Sequence, residues 1–106
     1  MDTSHQIATK LLYGRRSDGE RFEIHIAIDA PRQVDSEGDE WICSMSIAPF
    51  ISKRHDVHGD GSLQALCLAI SAIYQQLKYF IEDGGELLYE AGETFALDAS
   101  FGRSYR

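Results

Sequence analysis

The stretch that most limits what this chain can fold into is "GSLQALCLAISAIYQQLKYFIEDGG", residues 61–85. Leu63, Leu66, Cys67, Ile70, Ile73, Tyr74, Leu77, Phe80 and Ile81 recur three and four residues apart. That period places them on one side of a helix over residues 61–83 and gives it a broad core stripe. Gly84 or Gly85 supplies the left-handed residue that ends it. Gln64, Ser71, Gln75, Gln76 and Lys78 interrupt the pattern too often for a membrane span. A helix with one apolar side needs something flat to lie on.

The preceding residues provide it. "RFEIHIAID" alternates cleanly, with Phe22, Ile24, Ile26 and Ile28 on one face and Glu23, His25 and Asp29 on the other. This is a half-buried antiparallel strand. "QIATKLLY" (6–13) alternates less well and predicts a first strand with Ile7, Thr9, Leu11 and Tyr13 on one face. Asp18-Gly19 is a hairpin turn signal between them. "WICSMSIAPF" predicts a third strand with Trp41, Cys43, Met45 and Ile47 on one face, and "ISKRHDV" a more polar fourth. Pro49 marks a bulge or break between these two. After the helix, "ELLYE" and "TFALDA" read as a short strand pair around "AGE". The expected fold is α+β: a two-layer sandwich of an antiparallel meander of about four strands on one long helix, followed by a C-terminal strand pair. With 106 residues this is one domain, 1–106, with 100–106 a loose tail.

"HDVHGDGS", just before the helix, brings the residue types of chemistry together. His55, Asp56, His58 and Asp60 are all metal-ligand types, and in an extended strand Asp56, His58 and Asp60 share a face while His55 points away. The simpler reading is a helix start, in which Asp60 or Ser62 caps an orphan N–H and Asp60 complements the helix dipole. No P-loop lysine, G-x-S-x-G elbow or C-x-x-C pair accompanies the segment. Cys43 and Cys67 both fall on predicted apolar faces and read as buried thiols.

The helix also carries Ala65, Leu68, Ala69, Ala72, Gln76 and Tyr79 at helical spacing on a second side. A single sheet covers one side of a helix. The second side therefore needs the C-terminal segment, a second subunit of a homodimer, or another protein.

The net charge of −7 is spread along the chain, including Asp35, Glu37, Asp39 and Glu40 before the third strand and Glu82, Asp83 and Glu86 after the helix. No run of Lys and Arg with interleaved aromatics offsets it, which argues against nucleic acid as a partner and suits a basic protein. The polar start lacks a secretory pattern, so a cytoplasmic location is expected.

Three segments resemble a family of small uncharacterised bacterial proteins with a G-x-D-S-L-Q-A-L helix start. They are Trp41-Ile42-Cys43, then Gly59-Asp60-Gly61-Ser62-Leu63-Gln64-Ala65-Leu66, then Gly85-Glu86-Leu87-Leu88-Tyr89. Gly61 stands where that family often has Asp, and Tyr89 where it often has Trp. The resemblance implies the α+β fold and a bacterial source, and carries no activity. The function expected is a non-catalytic protein-interaction domain, in its more specific form immunity-type, with no cofactor. The alternative is a small metal-dependent hydrolase built on His55, Asp56, His58 and Asp60.

Overall fold

A computed structural model describes residues 5–103. The strands are β1 (Gln6–Arg15), β2 (Arg21–Asp29), β3 (Arg32–Gln33), β4 (Glu40–Ala48), β5 (Ile51–Asp60) and β6 (Glu86–Leu88). The helices are α1 (Gly61–Glu82) and the short α2 (Leu97–Ser100). All strand pairs are antiparallel in one sheet. Both β2 and β5 pair β4 at Met45 and Ile47, so they hold its opposite edges. The spatial order is β5-β4-β2-β1-β6, with β3 on the β2 side of β4. The α+β expectation therefore holds: an antiparallel sheet of six strands lies against one long helix.

The sheet follows from the alternation. Ile24, Ile26 and Ile28 of β2 and Cys43, Met45 and Ile47 of β4 are buried on the helix side. The turn at Pro49 and Phe50 makes β4 and β5 a hairpin, so Pro49 marks the break between two strands. β1 forms as expected, with the face opposite to Ile7 and Leu11 buried. Leu12, opposite Ile24, is fully buried, while Ile7 and Leu11 are exposed. This strand has apolar residues on both faces, so alternation alone does not choose. A register shift at Gln6/Ala8 and the packing of Gly14 under the Phe22 ring settle which face turns inward.

α1 carries the chain from one sheet edge, β5, to the other, β6. It starts with no loop at all. Gly61, at φ 87°, reverses the backbone directly after β5, and its N–H donates to the Asp39 carbonyl at 2.8 Å. The first turns then press onto the strand they have just left. A Cβ on Gly59 would stand 2.5 Å from the Ala65 nitrogen and 2.7 Å from its Cα.

That close approach rotates the helix from its expected seating. Ala65 and Ala69 are fully buried against the sheet, together with Ile73, Tyr74, Leu77 and Phe80. Leu63 is 74% exposed, and Cys67 and Ile81 also face outward. Small side chains let the backbone come down on β5, and the bulkier Leu63 is carried to the rim. Ala65 and Ala69 thus belong to the core and cannot line a dimer contact. Of the expected second face, Leu68 and Tyr79 are exposed, and Ala72 and Gln76 half-buried.

The capping expectation changes as well. Asp60 occupies the N-cap position, but neither its side chain nor another forms a cap hydrogen bond there. The Asp60 N–H instead donates to Gln64 Oε1 at 2.6 Å; Gln64 stands four residues after the N-cap, one beyond the capping-box position, but satisfies the same backbone donor. At the other end Gly84, at φ 97°, ends the helix.

The C-terminal strand pair reduces to β6 and a single bridge, Leu88 to Thr94. "LDAS" turns into α2 rather than extending. Tyr74 explains the return: its hydroxyl donates to Asp98 Oδ1 at 2.6 Å, its ring packs on Phe101, and the Arg103 guanidinium lies 3.9 Å from its centroid. The expected loose tail is therefore docked on α1 as far as Arg103, and residues 104–106 lie outside the described ones. This segment covers one flank of α1. No described helix is long and apolar enough to cross a membrane.

Candidate functional site

The face of the sheet away from α1 has no helix over it, and the polar residues of β4 and β5 converge there. Ser44 is fully buried and Asp29 nearly so, the only buried polar side chains among the described residues. Each is satisfied across strands. Arg32 donates to Ser44 Oγ at 3.0 Å, and the Ser44 hydroxyl donates to Asp56 Oδ1 at 2.5 Å. Arg32 and Asp56 close the triangle at 3.5 Å. Arg54 pairs with Asp29 at 3.1 Å. Beside the Arg54–Asp29 pair lies a cleft of about 290 Å³ lined also by the small residues Ala27, Ser44, Ser46 and Ser52.

The His/Asp segment resolves along this strand. Asp56, His58 and Asp60 do share the open face, and His55, opposite Met45, lies on the other. They are not gathered into one group. Asp56 is held by Arg32 and Ser44, while His58 Nδ1 contacts Glu40 Oε2 at 2.6 Å. Among the described residues no three His, Cys, Asp or Glu side chains stand close enough to hold a metal ion. The corrected reading is a strand whose side chains alternate in sign and bond sideways. The physical reason is spacing: same-face neighbours on a strand sit about 6.6 Å apart, too far for one ion without help from a second element.

A larger crevice, about 440 Å³, lies on the helix side between β1, β2, α1 and the C-terminal segment. Leu12, Ile26, Ile28, Ile73, Phe95 and Phe101 line it. Lys10 and Tyr89 are its ionisable groups, and they face each other, with Nζ 5.4 Å from the ring centroid. No carboxylate or imidazole borders it. The larger space is thus mainly apolar apart from Lys10 and Tyr89, and the buried polar side chains among the described residues, Ser44 and Asp29, lie on the opposite side of the sheet.

The two cysteines differ. Cys43 is fully buried, its Sγ–H donating to the Asp29 carbonyl at 3.4 Å. Burial, and then the Asp29 charge, push its thiol pKa up from the ordinary value, so its nucleophilic form is disfavoured. Cys67 is exposed on α1 and free, which corrects the expectation that both are buried. Alkylation of the folded protein is expected to modify Cys67 promptly and Cys43 only after denaturation; mass spectrometry should count one adduct per native chain.

One end of the sheet is acidic in a way the sequence does not display. Glu40 stands opposite Asp60, and the Asp39 carbonyl holds the start of α1. The loop before β4 therefore reaches the end of β5, with Glu40 beside Asp60 and the Asp39 backbone at the start of α1, while Asp35 and Glu37 lie in the same loop. The loop is ordered by its own bonds: the Glu37 N–H donates to Asp35 Oδ1 at 3.1 Å, and Gln33 Nε2 to the Gly38 carbonyl at 2.8 Å. Val34, 49% exposed, sits among these acids.

Comparison with curated proteins and with solved structures found no match. A family model described as "Domain of unknown function (DUF6968)" matches residues 8–98, from β1 through α1 to the start of α2. With nearly the whole sheet and helix inside that match, the chain belongs to the DUF6968 family.

Proposed function

We propose that this protein is a non-catalytic interaction domain that docks a basic protein through the acidic end of its sheet. The observation that carries the reading is the joining of the 35–40 loop to the end of β5. It sets Glu40 beside Asp60 from a separate stretch, with the exposed Val34 bonded to Glu40 on the other side. An apolar contact ringed by charge of one sign is the form of a docking surface that steers an oppositely charged partner. The immunity-type version names the partner class more narrowly, as a basic toxin bound and neutralised at this end.

The test is a triple substitution, Asp35→Asn, Glu37→Gln and Asp39→Asn, which leaves the β5 pairings intact. Wild type and variant, immobilised, are exposed to extract of the source cells at low and at high salt, with retained proteins identified by mass. Wild type should retain a basic protein at low salt. The variant should bind it at least about tenfold more weakly, a difference of about 1.4 kcal/mol. Equal retention of the same proteins by both forms refutes the acidic end as the docking surface.

A further inference from the structure

β5 is an edge strand of ten residues, and β4 is its only strand partner among the described residues. Its outer N–H and C=O groups are therefore unpaired by the sheet, a template for another strand. Proteins commonly defend such an edge with charges that repel a copy. Those on β5 are arranged differently.

Along the open face the strand carries Asp56, His58 and Asp60, and Arg54, which lies in the β4–β5 register shift between Met45 and Ile47, joins that face through its pair with Asp29. Turned end for end about Val57, this order exchanges each carboxylate for a nitrogen-bearing side chain, a guanidinium or an imidazole. Arg54 comes opposite Asp60, and Asp56 opposite His58, each twice by symmetry. Two β5 strands paired antiparallel in this register meet basic group to acid throughout, the favourable kind of cross-strand pair. Sliding by two residues sets Asp56 against Asp56 in one direction and His58 against His58 in the other. Sliding by one sets the helix side of one sheet against the open side of the next. The pattern thus selects a single register. On the helix side the same register places Val57 against Val57 and His55 against Gly59, where no charges of like sign need meet.

The groups are accessible for this. The Arg54, Asp56 and His58 side chains keep 52%, 43% and 57% of their exposure despite their bonds within the chain. A guanidinium has five donors, so Arg54 can hold Asp29 and a second carboxylate together. Asp60 is exposed and is not used as a cap.

The helix supports the same arrangement. Tyr74 turns one flank of α1 toward the C-terminal segment over β1, and Ala65 rests on Gly59 of β5. The opposite flank, with Leu68, Ala72 and Tyr79, therefore lies toward the free edge of β5. Leu68 is 43% and Tyr79 54% exposed. A two-fold axis through the strand pair, normal to the sheet, keeps both helices on one side and turns these flanks toward each other across the seam.

We infer that β5 pairs antiparallel with β5 of a second copy of this chain, centred on Val57, so that two sheets become one. This goes beyond the docking of a basic partner: the two readings share Asp60 at the end of β5, but Asp35, Glu37 and Asp39 take no part in the strand pairing.

The test is charge exchange on the full chain, read as mass by light scattering. Wild type should have about twice the chain mass of 11.9 kDa. Arg54→Asp alone and Asp60→Arg alone each set like charges opposite one another and should be monomeric. An equimolar mixture of the two variants should regain the dimer mass, because each new charge then faces its opposite. A folding defect in either variant could not be repaired by mixing. Independently of the variants, amide exchange along β5 in wild type should slow as concentration rises. A monomeric wild type, a dimer that survives both substitutions, a mixture that stays monomeric, or β5 exchange insensitive to concentration would each overturn the inference.

Discussion

Alanine at Gly59 is expected to lower the unfolding midpoint by about 15 °C, from roughly 3 kcal/mol of lost stability in a domain of this size. The new methyl group would stand 2.5 Å from the Ala65 nitrogen and 2.7 Å from its Cα. Both are backbone atoms in the first turns of α1, so no side chain can swing aside. Either the helix lifts off β5, loosening Ala65 and Ala69 from the sheet, or the strand bends away and disturbs its pairing with Trp41. Gly38→Ala is the control. Its added carbon meets nothing nearer than 3.8 Å, and its φ is not positive, so the midpoint should stay within about 3 °C of wild type. Thermal unfolding followed by circular dichroism measures both. Equal midpoints for Gly59→Ala and wild type would mean that the helix is not seated directly on β5.

The second large effect separates two leucines that the helical period treats alike. Leu77 is fully buried under the sheet, and Leu77→Ala is expected to cost about 3 kcal/mol in lost transfer energy and residual cavity. Leu63 is 74% exposed, and Leu63→Ala should change stability by no more than about 0.5 kcal/mol. Against a total of about 5–15 kcal/mol for a protein of this kind, the first is severe and the second near silent. Urea unfolding gives both values. Similar losses at the two positions would restore the symmetric core stripe of the simple periodic reading and remove the rotation of α1.

Much of the fold could be read directly. Strand β2 alternates cleanly through Ile24, Ile26 and Ile28, buried on the expected face, though Phe22 is half-buried and Asp29 is buried on the other face. The long helix and its glycine ending follow equally from local rules. β1 could not be read so well. Leu11 and Leu12 are adjacent and equally apolar, and only pairing with β2 decides that Leu12 goes inward. The helix seating was hidden for a similar reason. Alanine is neutral between core and surface in a periodic pattern, whereas the contact of Ala65 with Gly59 depends on a chain reversal at Gly61 that periodicity does not express.

The candidate site divides in the same way. The sequence shows Asp56, His58 and Asp60 on one face of a strand, and they are there. It also shows their chemical types, which invite a metal reading, but not their neighbours. Arg32, Ser44 and Glu40 come from strands 12 to 24 residues away along the chain, and only the sheet brings them alongside. The acidic end arises in the same manner, from two stretches joined at Glu40 and Asp60.

By itself the sequence determined the element types, the sheet's inward face in its best strands and the alternating charge of β5, since these depend on local period and residue chemistry. The tertiary structure alone decided that α1 turns its alanines to the core, that Tyr74 recruits the C-terminal segment, and that β5 is left at an edge. Those outcomes depend on close approach between distant residues, and a periodic pattern carries no information about distance across a sheet.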